Sequence, residues 1–212
     1  MELVVIIVNL RELKIYKVLK KPSQIFSLKN FSLLIKPPRD RIPIYLAAVN
    51  QKMVELTWKI ADGVIFYLRP KSEIKSTLAK MQNQKKIDTT LQIITCVNND
   101  SEKAMVRAKK TLAFYISVGK IYREFLASNG FENETKNIFE EYEKNGLQSN
   151  YELVPESMVN ELCIAGTPDE CKTQLRQFCE TGIDLPIIQF NPTDNVEDSF
   201  NLVTSTFSEE SD

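Results

Sequence analysis

Short apolar runs alternate with amphipathic segments along most of the chain. Ile42 to Ala48 (IPIYLAA), Val64 to Leu68, Leu91 to Val97 (LQIITCV) and Leu185 to Phe190 are each long enough for a buried strand. Between them, Lys52 to Ala61 sets Met53, Val54, Leu56, Trp58 and Ile60 at spacings compatible with a helix. Ser72 to Met81 is a second helix, with Leu78 and Met81 at i, i+3. Asn98-Asn99-Asp100 turns the chain into one long helix, predicted from Ser101 to about Ser128 and ended by Asn129-Gly130. Further helices are predicted over Glu134–Lys144, stopped by Asn145-Gly146, over Pro155–Leu162, and over about Val196–Phe207.

The clearest local signature is Thr167-Pro168-Asp169-Glu170. Thr167 is the N-cap, Pro168 sits at the first helical position, and Glu170 completes a capping box. That helix runs to Thr181-Gly182, where Gly182 supplies the left-handed C-terminal position. The box accounts for Gly166 and Thr167 without any function. Trp58 reads as a core residue, because Val54 and Ala61 share its side of the helix, and Asp62-Gly63 reads as a turn.

Apolar strands alternating with helices imply an α/β fold with a parallel sheet covered on both faces. Four such βα units make half of an eight-stranded barrel. A complete barrel takes about 250 residues, more than the 212 of this chain.

The amino-terminal segment breaks the pattern. Met1 to about Leu19 is ambiguous: its Val/Ile content favours a strand, while Arg11 to Leu19 reads as helix. Ile25 to Leu28 and Phe31 to Ile35 read as short extended pieces closed by Pro37-Pro38. Between Arg11 and Arg41 stand nine Lys/Arg against Glu12 and Asp40, whereas the tail from Thr193 has six acids and no base. Tyr16, Phe26 and Phe31 fall in the basic stretch but match no nucleic-acid motif, so it reads as a solvated face.

Whole-chain charge is balanced at 27 Lys+Arg against 28 Asp+Glu, which argues against a dedicated nucleic-acid binder. A hydrophobic fraction of 43% is enough to build a core. The chain has no histidine. That excludes a Ser-His-Asp or Cys-His site and His-ligated metals, and leaves acid–base work to Asp, Glu, Lys, Tyr or Cys. The four cysteines (Cys96, Cys163, Cys171, Cys179) form no C-x-x-C, so free thiols and no metal site are expected. Leu3 to Val8 is too short to span a bilayer and has no basic segment before it, so a cytoplasmic protein is expected.

Four blocks carry a resemblance: Phe31–Ala48 (FSLLIKPPRDRIPIYLAA), Val54–Leu68 (VELTWKIADGVIFYL), Ile164–Glu170 (IAGTPDE) and Thr181–Phe190 (TGIDLPIIQF). Their order and spacing resemble the luciferase-like family of flavin- or F420-dependent oxidoreductases, which includes the methylenetetrahydromethanopterin reductases. The resemblance implies a (β/α)8 TIM barrel, with this chain matching its C-terminal half. Strands five to eight would be Ile42–Ala48, Val64–Leu68, Leu91–Val97 and Leu185–Phe190, and strands one to four would be absent. Residues 1–41 would be a lead-in helix and excursion, 42–192 the βα units, and 193–212 a C-terminal helix and acidic tail. The helices between Ser101 and Leu162 would be an insertion after strand seven, all within one domain.

In such a barrel, cofactor and substrate sit in the loops at the carboxyl ends of the strands. The loop Ala48-Val49-Asn50-Gln51-Lys52-Met53 opens a helix whose free N–H groups suit a phosphate, and Lys52 adds charge. By resemblance this loop binds the phosphate side of FMN or F420; Asn50 stands where the family often has Gly. Tyr67 and Arg69 would line the cofactor or substrate mouth, with Arg69 pairing an anionic substrate. The alternative is a capping Tyr and a solvated Arg.

The family's acid–base residues come mostly from the half not matched, so no catalytic residue is assigned. Two functions are therefore expected in competition. One is an incomplete flavin- or F420-dependent oxidoreductase, working by hydride transfer or monooxygenation on a small molecule. The other is a non-catalytic half barrel whose open edges pair with a second copy or a full-length homologue. Neither nucleic acid nor membrane is expected as a partner.

Overall fold

The structure is a computed structural model describing residues 42–208. The readings for residues 1–41 and for the last four residues of the acidic tail lie outside that range. Five strands are present: β1 (Tyr45–Ala47), β2 (Gly63–Tyr67), β3 (Asp88–Val97), β4 (Cys163–Gly166) and β5 (Leu185–Phe190). Helix α1 (Gln51–Ile60) joins β1 to β2 and α2 (Lys71–Met81) joins β2 to β3. Between β3 and β4 run α3 (Ser101–Val118), α4 (Lys120–Leu126), α5 (Glu132–Asn145), a 3-10 turn at Asn150–Leu153 and α6 (Glu156–Leu162). Helix α7 (Pro168–Cys179) joins β4 to β5, and α8 (Val196–Phe207) follows.

Every strand pair is parallel. The ten-residue β3 organises the sheet: β2 pairs with its first half, from Gly63↔Asp88 to Tyr67↔Gln92, and β4 with its last residues, from Ile94↔Cys163 to Val97↔Gly166. Strand β5 covers Thr90 to Thr95. Because Ile94 and Thr95 pair with both β4 and β5, those two strands lie on opposite edges of β3. Strand β4 thus continues the edge that β2 leaves. Among the described residues β1 and β5 each have a neighbour on one side only, so the sheet is open rather than a closed barrel.

Alternate residues divide the core in two. Val64, Phe66, Leu91 and Ile93 pack with Val54 and Trp58 of α1, Ile74 and Leu78 of α2, Phe178 of α7 and Val203 of α8. Full burial of a Phe, Leu or Ile side chain is worth roughly 1.5–3 kcal/mol, so this layer holds the sheet to its helices. Trp58 belongs to it, stacked on Phe66 at 6.3 Å and donating its indole N–H to the Lys85 carbonyl. On the other face Ile94, Cys96, Cys163 and Ala165 pack with Ala104, Leu112, Ile116, Leu126, Ile138 and Met158. The helices between β3 and β4 therefore roof the carboxyl end of the inner sheet face.

Four local expectations are corrected. The first strand is three residues long, with Ile42 64% exposed, because among the described residues it has one neighbour instead of the two a buried strand needs. The long helix from Ser101 breaks at Gly119, which leaves helical geometry (φ −101°, ψ 84°). A Cβ there would lie 2.7 Å from both the Tyr115 carbonyl oxygen and the Tyr122 ring. Strand β4 is absent from the sequence pattern, since Cys163 to Gly166 reads as the approach to the Thr167 capping box. The box itself is present: Glu170 accepts from the Thr167 N–H at 2.8 Å. Gly63, read as part of a turn, opens β2 with the Tyr45 ring lying where its side chain would be.

Candidate active site at the carboxyl edge of the sheet

The loop after β1 leads straight into α1. Ala48 is buried, its N–H bonded to the Ile65 carbonyl at 3.1 Å. Asn50 is the N-cap in extended geometry (φ −85°, ψ 162°), and its Oδ1 accepts the Met53 N–H at 3.0 Å. Any residue adopts that backbone region, so a glycine is not required at this position. Asn50, Gln51 and Lys52 are exposed, while Val49 and Met53 are half-buried. The first-turn N–H groups of Gln51 and Lys52 lie at the positive end of the helix dipole.

Arg69 is 2% exposed and lies beneath this loop. The chain reaches it through Leu68, whose φ of 48° is the left-handed conformation that β-strand residues avoid. Arg69 Nη2 donates to the Val49 carbonyl at 2.6 Å, and Nη1 donates to the Glu73 carboxylate. The guanidinium is sandwiched between Phe66 (4.4 Å) and Phe125 (4.6 Å). Burial pulls its pKa down while the Glu73 carboxylate pushes back. Glu73 in turn accepts from the Thr77 hydroxyl at 2.6 Å. The solvated alternative for Arg69 is therefore not what the fold builds.

Tyr67 is half-buried at the end of β2 and forms a triangle of edge-to-face rings with Tyr115 (5.2 Å) and Tyr122 (5.6 Å). Its hydroxyl is buried without a hydrogen-bond partner, and burial pushes its pKa upward, which keeps the group neutral. Tyr115 and Tyr122 flank the break at Gly119, so the wall beside Tyr67 comes from the helices between β3 and β4.

The loops after β3 and β5 are tied to each other. Asn98 Nδ2 donates to Thr193 Oγ1 at 2.9 Å and to the Asp194 carboxylate at 2.7 Å. Ser199 Oγ accepts the N–H groups of Thr193 and Asp194 at 3.3 and 3.2 Å. Among the described residues no cluster of three or more His, Cys, Asp or Glu is arranged to hold a metal, and no helix is long and apolar enough to cross a membrane.

Sequence reading thus places the loop 48–53, Tyr67 and Arg69 on one edge of the sheet, and the structure joins Val49 to Arg69 directly. It missed the left-handed backbone of Leu68, and Tyr115, Tyr122 and Phe125, which reach the site through tertiary packing. Only Glu73 left a signal, four residues after Arg69 on a helical segment.

This is the edge on which parallel α/β barrels hold their ligands. The sequence profile of the luciferase-like monooxygenases matches residues 10–185. The chain belongs to that family. A 5,10-methylenetetrahydromethanopterin reductase of Archaeoglobus fulgidus is 26% identical over 188 residues, 82% of this chain and 55% of that protein. Among solved structures, an F420-dependent secondary alcohol dehydrogenase in complex with an F420-acetone adduct superposes with a TM-score of 0.67. It is 18% identical and is matched over 97% of this chain and 59% of its own. The coenzyme F420-dependent tetrahydromethanopterin reductase of Methanopyrus kandleri gives a TM-score of 0.63 at 20% identity, over 76% of this chain and 49% of its own. This luciferase-like chain therefore has the α/β fold of those enzymes and spans about half the length of the curated relative it matches.

Proposed function

We propose that this chain is a luciferase-like oxidoreductase that binds F420 or FMN at the carboxyl edge of its sheet, next to a small-molecule substrate. The carrying observation is the β1–α1 loop, held from below by the buried Arg69 and bordered by the Tyr67 ring cluster. Either cofactor supplies the redox chemistry of its own ring, for hydride transfer or oxygen activation. The chain's residues bind and orient. The Gln51 and Lys52 N–H groups and the Lys52 ammonium hold a phosphate, for which the cap leaves room by spending Asn50 on Met53 alone. Arg69 fixes the path of the loop and borders the substrate side, while Tyr67, Tyr115 and Tyr122 present an apolar wall that excludes water. Three buried and one exposed free cysteine suit a reducing, cytoplasmic setting.

The test is titration of the full chain with FMN and, separately, F420, following quenching of their fluorescence. Saturable binding is expected, weakened about tenfold by Lys52→Ala, since a charge-assisted contact is worth roughly 1.5–3 kcal/mol. Folded protein that binds neither cofactor overturns the proposal.

A second reading is a non-catalytic half barrel that pairs with a second copy or a full-length homologue. It is favoured by the one-sided pairing of β1 and β5 among the described residues. Light scattering of the purified chain, alone and with a full-length relative, separates the two: this reading expects a dimer or a mixed complex without cofactor binding.

A further inference from the structure

A second feature of the same edge is a groove of about 430 Å³ between α3 and the loop after β5. Helix α3 lines it with Lys103, Arg107 and Lys110, which share one face at i, i+4 and i+7. Thr193 and Asp194 form the facing wall, and Asp100 and Glu102 stand at its end.

Two of the three carboxylates are already engaged. Asp100 caps α3, accepting the N–H groups of Glu102 and Lys103 at 3.0 and 3.3 Å. Asp194 accepts from Asn98 and pairs with Lys103 at 3.6 Å. Glu102 is left exposed at the rim. Among the described residues no carboxylate pairs with Arg107 or Lys110. The Lys110 ammonium lies 4.9 Å over the Tyr151 ring, and Arg107 Nε is buried with no acceptor. That nitrogen is closed off from solvent, so Arg107 serves the groove only through the part of its side chain that lines it, which no carboxylate among the described residues pairs.

We propose that this groove is an oxyanion site, taking a phosphate or carboxylate borne by a small molecule bound at this edge. Arg107 receives the anion through its planar fork and Lys110 adds a point charge. The Asn98–Thr193–Asp194 bonds hold the facing loop still, so little ordering is needed on binding. The inference rests on the oxidoreductase reading only in assigning the anion to that enzyme's substrate or cofactor.

The test is calorimetric titration of the full chain with inorganic phosphate and, separately, with citrate, at constant ionic strength set by chloride. It uses wild type, Lys52→Ala, Arg107→Gln and Lys110→Gln, because the β1–α1 loop is a second phosphate candidate. The expected result is saturable binding that survives Lys52→Ala and weakens about tenfold in Arg107→Gln. Lys110→Gln, at an exposed position, weakens it too and serves if Arg107→Gln does not fold. Preference for phosphate or for citrate identifies which oxyanion the groove takes. No saturable binding in the Lys52→Ala background, or binding that neither groove substitution alters, overturns the inference. Failure of the cofactor titration with this binding intact removes the oxidoreductase reading and leaves the groove.

Discussion

Arg69 Nη2 donates to the main-chain carbonyl of Val49 at 2.6 Å, joining the end of one strand to the loop that follows its neighbour. The same guanidinium touches Glu73 of α2, Phe66 of β2 and Phe125 of α4, so four separate elements converge on one planar group. With both Nη groups bonded inside the protein, a ring on each face and its Nε closed off from solvent, this side chain is a positioning group rather than a free cation waiting for an anion.

Replacing Arg69 with Met removes the donor to the Val49 carbonyl and leaves the half-buried Glu73 without its cation, with only the Thr77 hydroxyl still donating to it. A loss of roughly 2–4 kcal/mol in unfolding free energy is expected, read from urea denaturation. Arg69→Lys keeps the charge but lacks the fork that reaches both acceptors. It is expected to recover part of the stability while cofactor quenching stays about tenfold weaker, as a displaced loop requires. Full cofactor affinity in the Lys variant would show that the loop holds its own shape.

At the open edge, a Cβ on Gly63 would meet the Tyr45 ring at 2.3 Å. Gly63→Ala therefore expels the ring and breaks its hydrogen bond to Asp88. Destabilisation of about 1–2 kcal/mol is expected. Tyr45→Ala removes the obstacle, so the double variant should be no less stable than Tyr45→Ala alone. Simple additivity in that double-mutant cycle would dismiss the contact.

The thiols divide by burial. Cys96, Cys163 and Cys171 are buried and Cys179 is exposed. Burial pushes the pKa of Cys96 and of Cys171 up to about 12 and that of Cys163 well above the ordinary thiol value. Iodoacetamide at neutral pH should therefore label Cys179 alone in the folded protein and all four after denaturation, counted by mass spectrometry.

Glu170 has its carboxyl pKa lowered, first by the Thr167 backbone N–H and then by the Ser101 and Thr167 hydroxyls. A carboxylate held below its unfolded value contributes stability above the ordinary carboxylate range and loses it as pH falls through the folded pKa. Thermal melts should thus show a steeper acid limb in wild type than in Glu170→Gln, with the two curves separated most at neutral pH. Parallel curves would remove Glu170 from the acid response.

Much of the frame was legible because its signals are local. Periodicity located α1, α2 and α8, and the residues Thr167, Pro168 and Glu170 announced the start of α7 with no tertiary information. Strand β5 was placed with its final bounds by an apolar run between Gly182 and Asn191. What escaped depends on partners far along the chain. Cys163 to Gly166 forms a strand because the far half of β3 has a vacant edge, and nothing within four residues of chain says so. Gly119 breaks a segment whose composition is helical on both sides, since the conflict there is with the Tyr115 carbonyl and the Tyr122 ring. The loop 48–53 and Arg69 could be picked out separately, but their bond needed Leu68 in a left-handed turn.

The pairing of β4 with the end of β3 carries a consequence for how such chains change. Everything from Asn98 to Leu162 leaves and returns at the same strand, and the backbone pairs from Ile94↔Cys163 to Val97↔Gly166 fasten its two stems together. With the stems fastened, the cost of closing the excursion rises only slowly with its length. The excursion is thus anchored at its stems and by its packing on Ile94 and Cys96, so changes of length are expected in its exposed turns, with β2, β3 and β5 keeping their register. Since Tyr115, Tyr122 and Phe125 belong to it, a change there would reshape the wall beside Tyr67 and also one face of the Arg69 guanidinium.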